Sequence, residues 1–163
     1  MFLNHDFPAL SALPLFGPIR TLLLDDCRFD RARMRRLCRQ TSLIMTVEDV
    51  ADLAQFDRAL QSGNHDLYLV DYHLPSGSGL DALSAIHGGV PGAAAIMISG
   101  TDRPELEYGL STGCHPVLKK AFLTPDLLET AIREAVFSAQ YEGSLEPAPP
   151  VDVDRCSRNS MLA

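Results

Sequence analysis

From Arg20 onward the chain alternates between short unbroken apolar runs and longer stretches in which apolar residues recur every three or four positions. The runs TLLL, LYLV, AAIMI and PVLK have the length of strands buried on both faces, and the stretches between them carry the helical period. The pattern predicts strands over 20–25, 42–47, 66–71, 93–98 and 115–119, and helices over 29–40, 49–61, 78–87, 103–111 and 125–141. Five βα units follow. Because their short crossovers must be right-handed, the expected architecture is α/β, a doubly wound five-stranded parallel sheet with helices on both faces. The clearest stripe lies in the last helix, where Leu127, Leu128, Ala131, Ile132, Ala135, Val136 and Ala139 fall at helical spacing behind a Thr124-Pro125 start.

The two ends of the chain break this rhythm. Residues 1–19 contain Pro8, Pro14 and Pro18, which disfavour helix, and they are read as an apolar extension packed in part on the domain. After Tyr141 the chain turns to a Pro149-Pro150 segment with few large apolar residues, so 142–163 is read as a disordered tail and 20–141 as the domain. At 163 residues one core of roughly 100–150 residues is the natural partition.

Charge and composition narrow the class. A net charge of −7 repels nucleic acid and anionic lipid, which leaves proteins as the expected partners. Cys27, Cys38, Cys114 and Cys156 form no CxxC pair, in keeping with a reduced setting and no zinc site. The start lacks the positive residues of a secretory signal, and no apolar stretch approaches the roughly 20 residues that span a bilayer. A cytoplasmic, non-membrane protein is the expectation.

The predicted strands deliver five polar side chains to one sheet edge: Asp25 and Asp26 after the first, Asp71 after the third, Ser99 after the fourth and Lys120 after the fifth. In parallel sheets the working residues lie beyond the carboxyl ends of the strands. Paired carboxylates there can hold a hard divalent cation, a third carboxylate can act as nucleophile, and a hydroxyl and an ammonium can bind phosphoryl oxygens. The chemistry that uses all five is phosphoryl transfer.

Over residues 20–141 the chain resembles the receiver domain of two-component response regulators. The resemblance rests on the acidic pair in LLLDD, on LYLVDYHLPSGSG with Pro75 and Gly79 at the family's offsets from Asp71, on the hydroxyl in IMISG, and on the lysine in VLKKAF. It implies a flavodoxin-like (βα)5 fold and a stand-alone response regulator. Asp71 would take a phosphoryl group from a phosphohistidine on a sensor histidine kinase or a histidine phosphotransfer protein. Mg²⁺ would be held by Asp25 or Asp26, Asp71 and the backbone carbonyl of His73, with Lys120 and Ser99 on the phosphoryl oxygens. Output would pass by contact with a downstream protein, by phosphate relay or by drainage of phosphate from a shared kinase. The His73 side chain, beside the pocket, would tune phosphoryl lifetime. Two positions depart from the family: Ala121 stands where a cis proline is usual, and Val117 stands where an aromatic usually follows the hydroxyl inward. A cis bond before a residue other than proline costs about 3 kcal/mol, so a trans, reshaped loop is expected after Lys120.

Other readings compete. A pseudo-receiver working as a phosphorylation-independent adaptor is the first alternative, favoured by Ala121 and Val117 and opposed by the five intact side chains. A small phosphohydrolase is the second, without a cap insertion or long substrate loop to support it. Gly77, Gly79 and Ala82 spell GxGxxA, but Pro75 intervenes and no acidic residue ends the next strand, so a dinucleotide site is set aside. In the first helix Arg28, Arg31, Arg35 and Arg39 form a basic ridge beside a core stripe of Met34, Leu37 and Cys38. It is read as a solvated face, with docking of an acidic partner as the functional alternative. Phe137 and Tyr141, off the last helix's stripe, offer a partner or homodimer contact.

Overall fold

The computed structural model describes residues 17–90, 92–100 and 117–142. Strands β1 (Ile19–Leu24), β2 (Met45–Val50), β3 (Leu67–Asp71), β6 (Ala94–Ser99) and β7 (Val117–Lys119) form one parallel sheet in the order β2-β1-β3-β6-β7. Between β3 and the helix that follows it, β4 (His73–Leu74) and β5 (Gly77–Ser78) make a short antiparallel hairpin, which the sequence pattern does not anticipate. The helices are α1 (Arg28–Gln40), α2 (Leu53–Gln61), α3 (Gly79–Gly89) and α4 (Pro125–Glu142). The helix expected over 103–111, residues 1–16 of the extension and residues 143–163 of the tail lie outside the described residues, while Ile19 already belongs to β1 and Glu142 to α4.

Because successive side chains of a strand point to opposite faces, the central strands feed two cores. Leu23, Leu69, Ile96 and Ile98 meet α1 and α4 through Met34, Leu37, Cys38, Leu128 and Ile132. Leu22, Leu24, Tyr68, Val70 and Met97 meet α2 and α3 through Phe56, Leu83 and Ile86. Each fully buried aliphatic side chain contributes about 1.5–3 kcal/mol, which is why β3 and β6, buried along their whole length, anchor the sheet. The predicted stripe of α4 is buried except for Leu127, which is exposed, and Ala139, which is half-buried. Among the described residues no helix is long and apolar enough to cross a membrane.

The second strand is displaced from its expected place. The apolar run suggests 42–47, yet pairing starts at Ile19 with Met45 and ends at Leu24 with Val50. The run belongs to the approach to an edge strand: Ile44 is 73% exposed, and Ser42 gives its N–H and hydroxyl to Glu129. An edge strand alternates half-buried with exposed positions, so its polar half, Glu48 and Asp49, does not read as strand. The following helix begins at Leu53 rather than 49 because the Asp52 side chain accepts from Gln55 N–H at 2.8 Å and caps it.

Candidate functional site at the carboxyl edge of the sheet

The chain leaves β1 toward β2 on one side and reaches β3 on the other, so a crevice opens between β1 and β3 where strand order reverses. Asp25 follows β1 and Asp71 ends β3, one on each wall. Both are 4% exposed, whereas Asp26 is exposed. Ser99 ends β6, buried and one residue beyond Ile98, the register partner of Asp71. Lys120 opens a 3-10 turn after β7. All the polar side chains read from the sequence therefore stand along one edge.

Their closest contacts run through Lys120. Its Nζ donates to Asp25 Oδ2 at 2.8 Å and lies 3.2 Å from Asp71 Oδ2. It also donates to Asp30 Oδ2, on the first turn of α1, at 2.8 Å. Burial works against the ammonium, but the carboxylates of Asp25, Asp30 and Asp71 outweigh it and hold the Lys120 pKa above its ordinary value. For Asp71 burial is the largest influence and raises its pKa; Lys120 opposes that rise and the charge of Asp25 adds to it. The nucleophile candidate is thus a desolvated carboxylate leaning on one cation.

Carboxylate oxygens of Asp25, Asp26 and Asp71 all lie within 4.8 Å of one another. Oxygen donors at that spacing suit a hard dication such as Mg²⁺, and an ammonium already stands between two of them, showing that the cleft accepts positive charge. His73 supports Asp71 through its backbone, and its exposed ring packs edge-on against Tyr72 at 4.8 Å. Gly79 N–H donates to the Tyr72 carbonyl at 2.9 Å, so α3 starts directly against the Asp71 backbone. The described residues contain no cis peptide, and the bond from Lys120 to Ala121 is trans, as the missing proline predicts.

The basic ridge is a solvated face at Arg28 and Arg39, which are exposed, but not at Arg31 and Arg35. Arg31 donates from Nη1 to the carbonyls of Asp25 at 2.7 Å and Asp26 at 3.1 Å, and from Nε to Asp49 Oδ2 at 2.9 Å. Arg35 donates to Asp49 Oδ1 at 2.6 Å. Two of the four arginines are therefore spent fastening α1 to the acidic pair and to β2, while Arg28 stacks over the exposed Phe29 ring. Sequence reasoning misses Asp30 and Asp49 as site residues. The available signal was that Asp30 is the lone acid of an arginine-rich helix and sits in its first turn.

Comparison with known proteins identifies the family to which this fold belongs. The family model described as response regulator receiver domain matches residues 21–133. The swarming motility regulation protein RssB of Serratia marcescens is 32% identical over 108 residues, 66% of this chain and 48% of that protein; the match spans about half the length of that relative. A receiver domain protein described as CheY-like from Methanospirillum hungatei JF-1 superposes with a TM-score of 0.67 at 23% identity, covering 78% of this chain and 100% of that one. The signal receiver domain of an HD domain-containing protein from Pseudomonas fluorescens Pf-5 gives 0.68 at 25% identity, covering 77% and 100%.

Proposed function

Because the chain belongs to the response regulator receiver family, whose members are signalling domains of phosphorelays, we propose that Asp71 accepts a phosphoryl group from a phosphohistidine. The donor would be a sensor histidine kinase or a histidine phosphotransfer protein. A carboxylate oxygen of Asp71 attacks phosphorus, the P–N bond to the donor imidazole breaks with its electron pair returning to nitrogen, and an acyl phosphate forms on Asp71.

The observation that carries this reading is the Lys120 ammonium between Asp25 and Asp71, at 2.8 and 3.2 Å, beside a three-carboxylate cluster. Asp25, Asp26, Asp71 and the backbone carbonyl of His73 are the groups that would hold Mg²⁺, which supplies neutralisation of the carboxylates and phosphoryl oxygens. Lys120 redirects one N–H hydrogen bond from the Asp71 carboxylate to a phosphoryl oxygen, keeping its proton, and the Ser99 hydroxyl donates to another. Ser99 moving toward Asp71 would draw the segment after β6 with it, a shift between two arrangements of that face. Output then goes to a downstream protein, in the cytoplasm.

Phosphate-affinity electrophoresis after incubation with acetyl phosphate and Mg²⁺ tests the proposal. A mobility shift that disappears in Asp71→Asn and without metal is the expected result. If neither acetyl phosphate nor a phosphohistidine donor labels the folded protein, the phosphoacceptor reading is lost and that of a phosphorylation-independent adaptor replaces it.

A further inference from the structure

Three carboxylates share the Lys120 ammonium, and they differ in what else they have to do. Asp25 and Asp71 belong to the cluster that can hold a cation, and Asp71 is the proposed phosphoacceptor. Asp30 lies outside that cluster, on the first turn of α1, yet its oxygen is as close to Nζ as that of Asp25, at 2.8 Å. Building on the phosphoacceptor reading, we propose that Asp30 is a positioning residue: it keeps hold of the Lys120 ammonium while Asp25 gives that contact up to a dication and Asp71 to a phosphoryl group.

The argument is a competition between cations. Lys120 and a dication need the same two carboxylates, so Asp25 can turn to a metal only as far as the ammonium can find another acceptor. The Lys120 side chain is 16% exposed, too enclosed for water to replace a carboxylate at low cost. Asp30 is the acceptor that stays. An ammonium has three donors on a rotatable stem, so Lys120 can keep one on Asp30 while the others pass to phosphoryl oxygens.

The position of Asp30 is itself fixed. Its neighbour Arg31 ties this turn of α1 to the carbonyls of Asp25 and Asp26 and to Asp49, and Arg31 N–H donates to the Cys27 carbonyl at 3.0 Å. The carboxylate that anchors the lysine is thereby held in register with the acidic pair. An anchor held this way returns the ammonium to the same place after each exchange.

The test is a calorimetric titration with Mg²⁺ alone on the full chain, in wild type, Asp30→Asn, Lys120→Ala and the double variant. Asp30→Asn is expected to weaken Mg²⁺ binding about 3- to 10-fold when Lys120 is present, and by no more than about 2-fold in the Lys120→Ala background. An equal loss in both backgrounds marks a plain missing charge and overturns the proposal, as does no loss at all. Asp30→Glu should restore binding. Should Lys120→Ala not fold, ¹⁵N-edited NMR of the lysine ammonium groups decides: the Lys120 signal survives Mg²⁺ addition in wild type and vanishes by solvent exchange in Asp30→Asn. The same behaviour in both proteins overturns the proposal. Folded wild type that binds no Mg²⁺ sinks the metal-assisted phosphoacceptor reading and this inference with it, whereas normal wild-type binding with an unaltered Asp30→Asn sinks the inference alone.

Discussion

A Cβ added to Gly79 would stand 2.5 Å from the carbonyl oxygen of Asp71. It would also meet Tyr72 Cα at 3.0 Å, so the obstacle is backbone on both counts and no side chain can swing clear. The glycine lets α3 begin against the strand end that carries the phosphoacceptor candidate, and the capping box of Ser78 and Asp81 fixes where it begins.

Gly79→Ala is therefore expected to destabilise the fold by about 1–3 kcal/mol, the usual range for forcing atoms into a packed site. Urea unfolding measures it. The same variant should slow labelling of Asp71 by acetyl phosphate, because relief of the clash moves the Asp71 carbonyl. Wild-type stability in Gly79→Ala would mean that the two backbones do not approach this closely.

Removing the central cation should unmask carboxylate repulsion. Lys120→Ala leaves Asp25 and Asp71 buried without their partner, and breaking a buried pair from one side costs about 3–5 kcal/mol. Thermal unfolding should show a lower Tm in EDTA and a larger rise with added Mg²⁺ than wild type shows. Equal Mg²⁺ responses would contradict the shared use of those carboxylates.

Arg31 fastens α1 to the acidic pair, and a shorter reach cannot replace its fork. Arg31→Ala should cost about 1.5–3 kcal/mol, the range for hydrogen bonds to charged groups. Arg31→Lys should recover only part of that in chemical denaturation, since one ammonium cannot span Asp49 and two carbonyls. Full recovery by lysine would show that charge, not geometry, holds the turn.

Two carboxylates give opposite pH signatures. Asp71 has a raised pKa in the fold, so the native state binds more protons than the unfolded chain in the window above the ordinary value of 3.8. Stability therefore falls as pH climbs through that window. In EDTA, Asp71→Asn should gain stability relative to wild type as pH rises past that value. Glu129 is the reverse case: hydrogen bonds from the Ser42 hydroxyl and N–H, then Arg133, lower its pKa from 4.5 to about 2. Its contribution is complete above 4.5 and is lost as pH falls toward about 2. The stability difference between wild type and Glu129→Gln should shrink over that interval, and a difference independent of pH would exclude the ionic role.

The five polar side chains could be placed from sequence because each ends or follows a run of residues that only a strand buried on two faces explains. Leu22, Leu69, Ile96 and Leu118 are all buried, so what comes next must emerge at the sheet's edge. The second strand gives no such signal. At the edge of the sheet it buries Met45, Val47 and Asp49 only in part, and the apolar residues before it attract the prediction three positions too early. That slip hides Asp49, which hides the purpose of Arg31 and Arg35. Asp30 is hidden for another reason: its meaning depends on Lys120, 90 residues away, and helical periodicity places it on a turn without saying what faces that turn.

That separation has a consequence for how the chain acquires its chemistry. Lys120 meets Asp25 across 95 residues and Asp30 across 90, so during vectorial synthesis the acidic residues emerge long before the cation that balances them. Until β7 docks beside β6 and closes this long loop, they must remain hydrated or repel one another. A chain halted before its last βα unit carries the nucleophile without its counter-charge. The ionic clasp between the first helix and the last strand's exit thus makes competence to handle a phosphoryl group a property of the finished domain, withheld from its fragments.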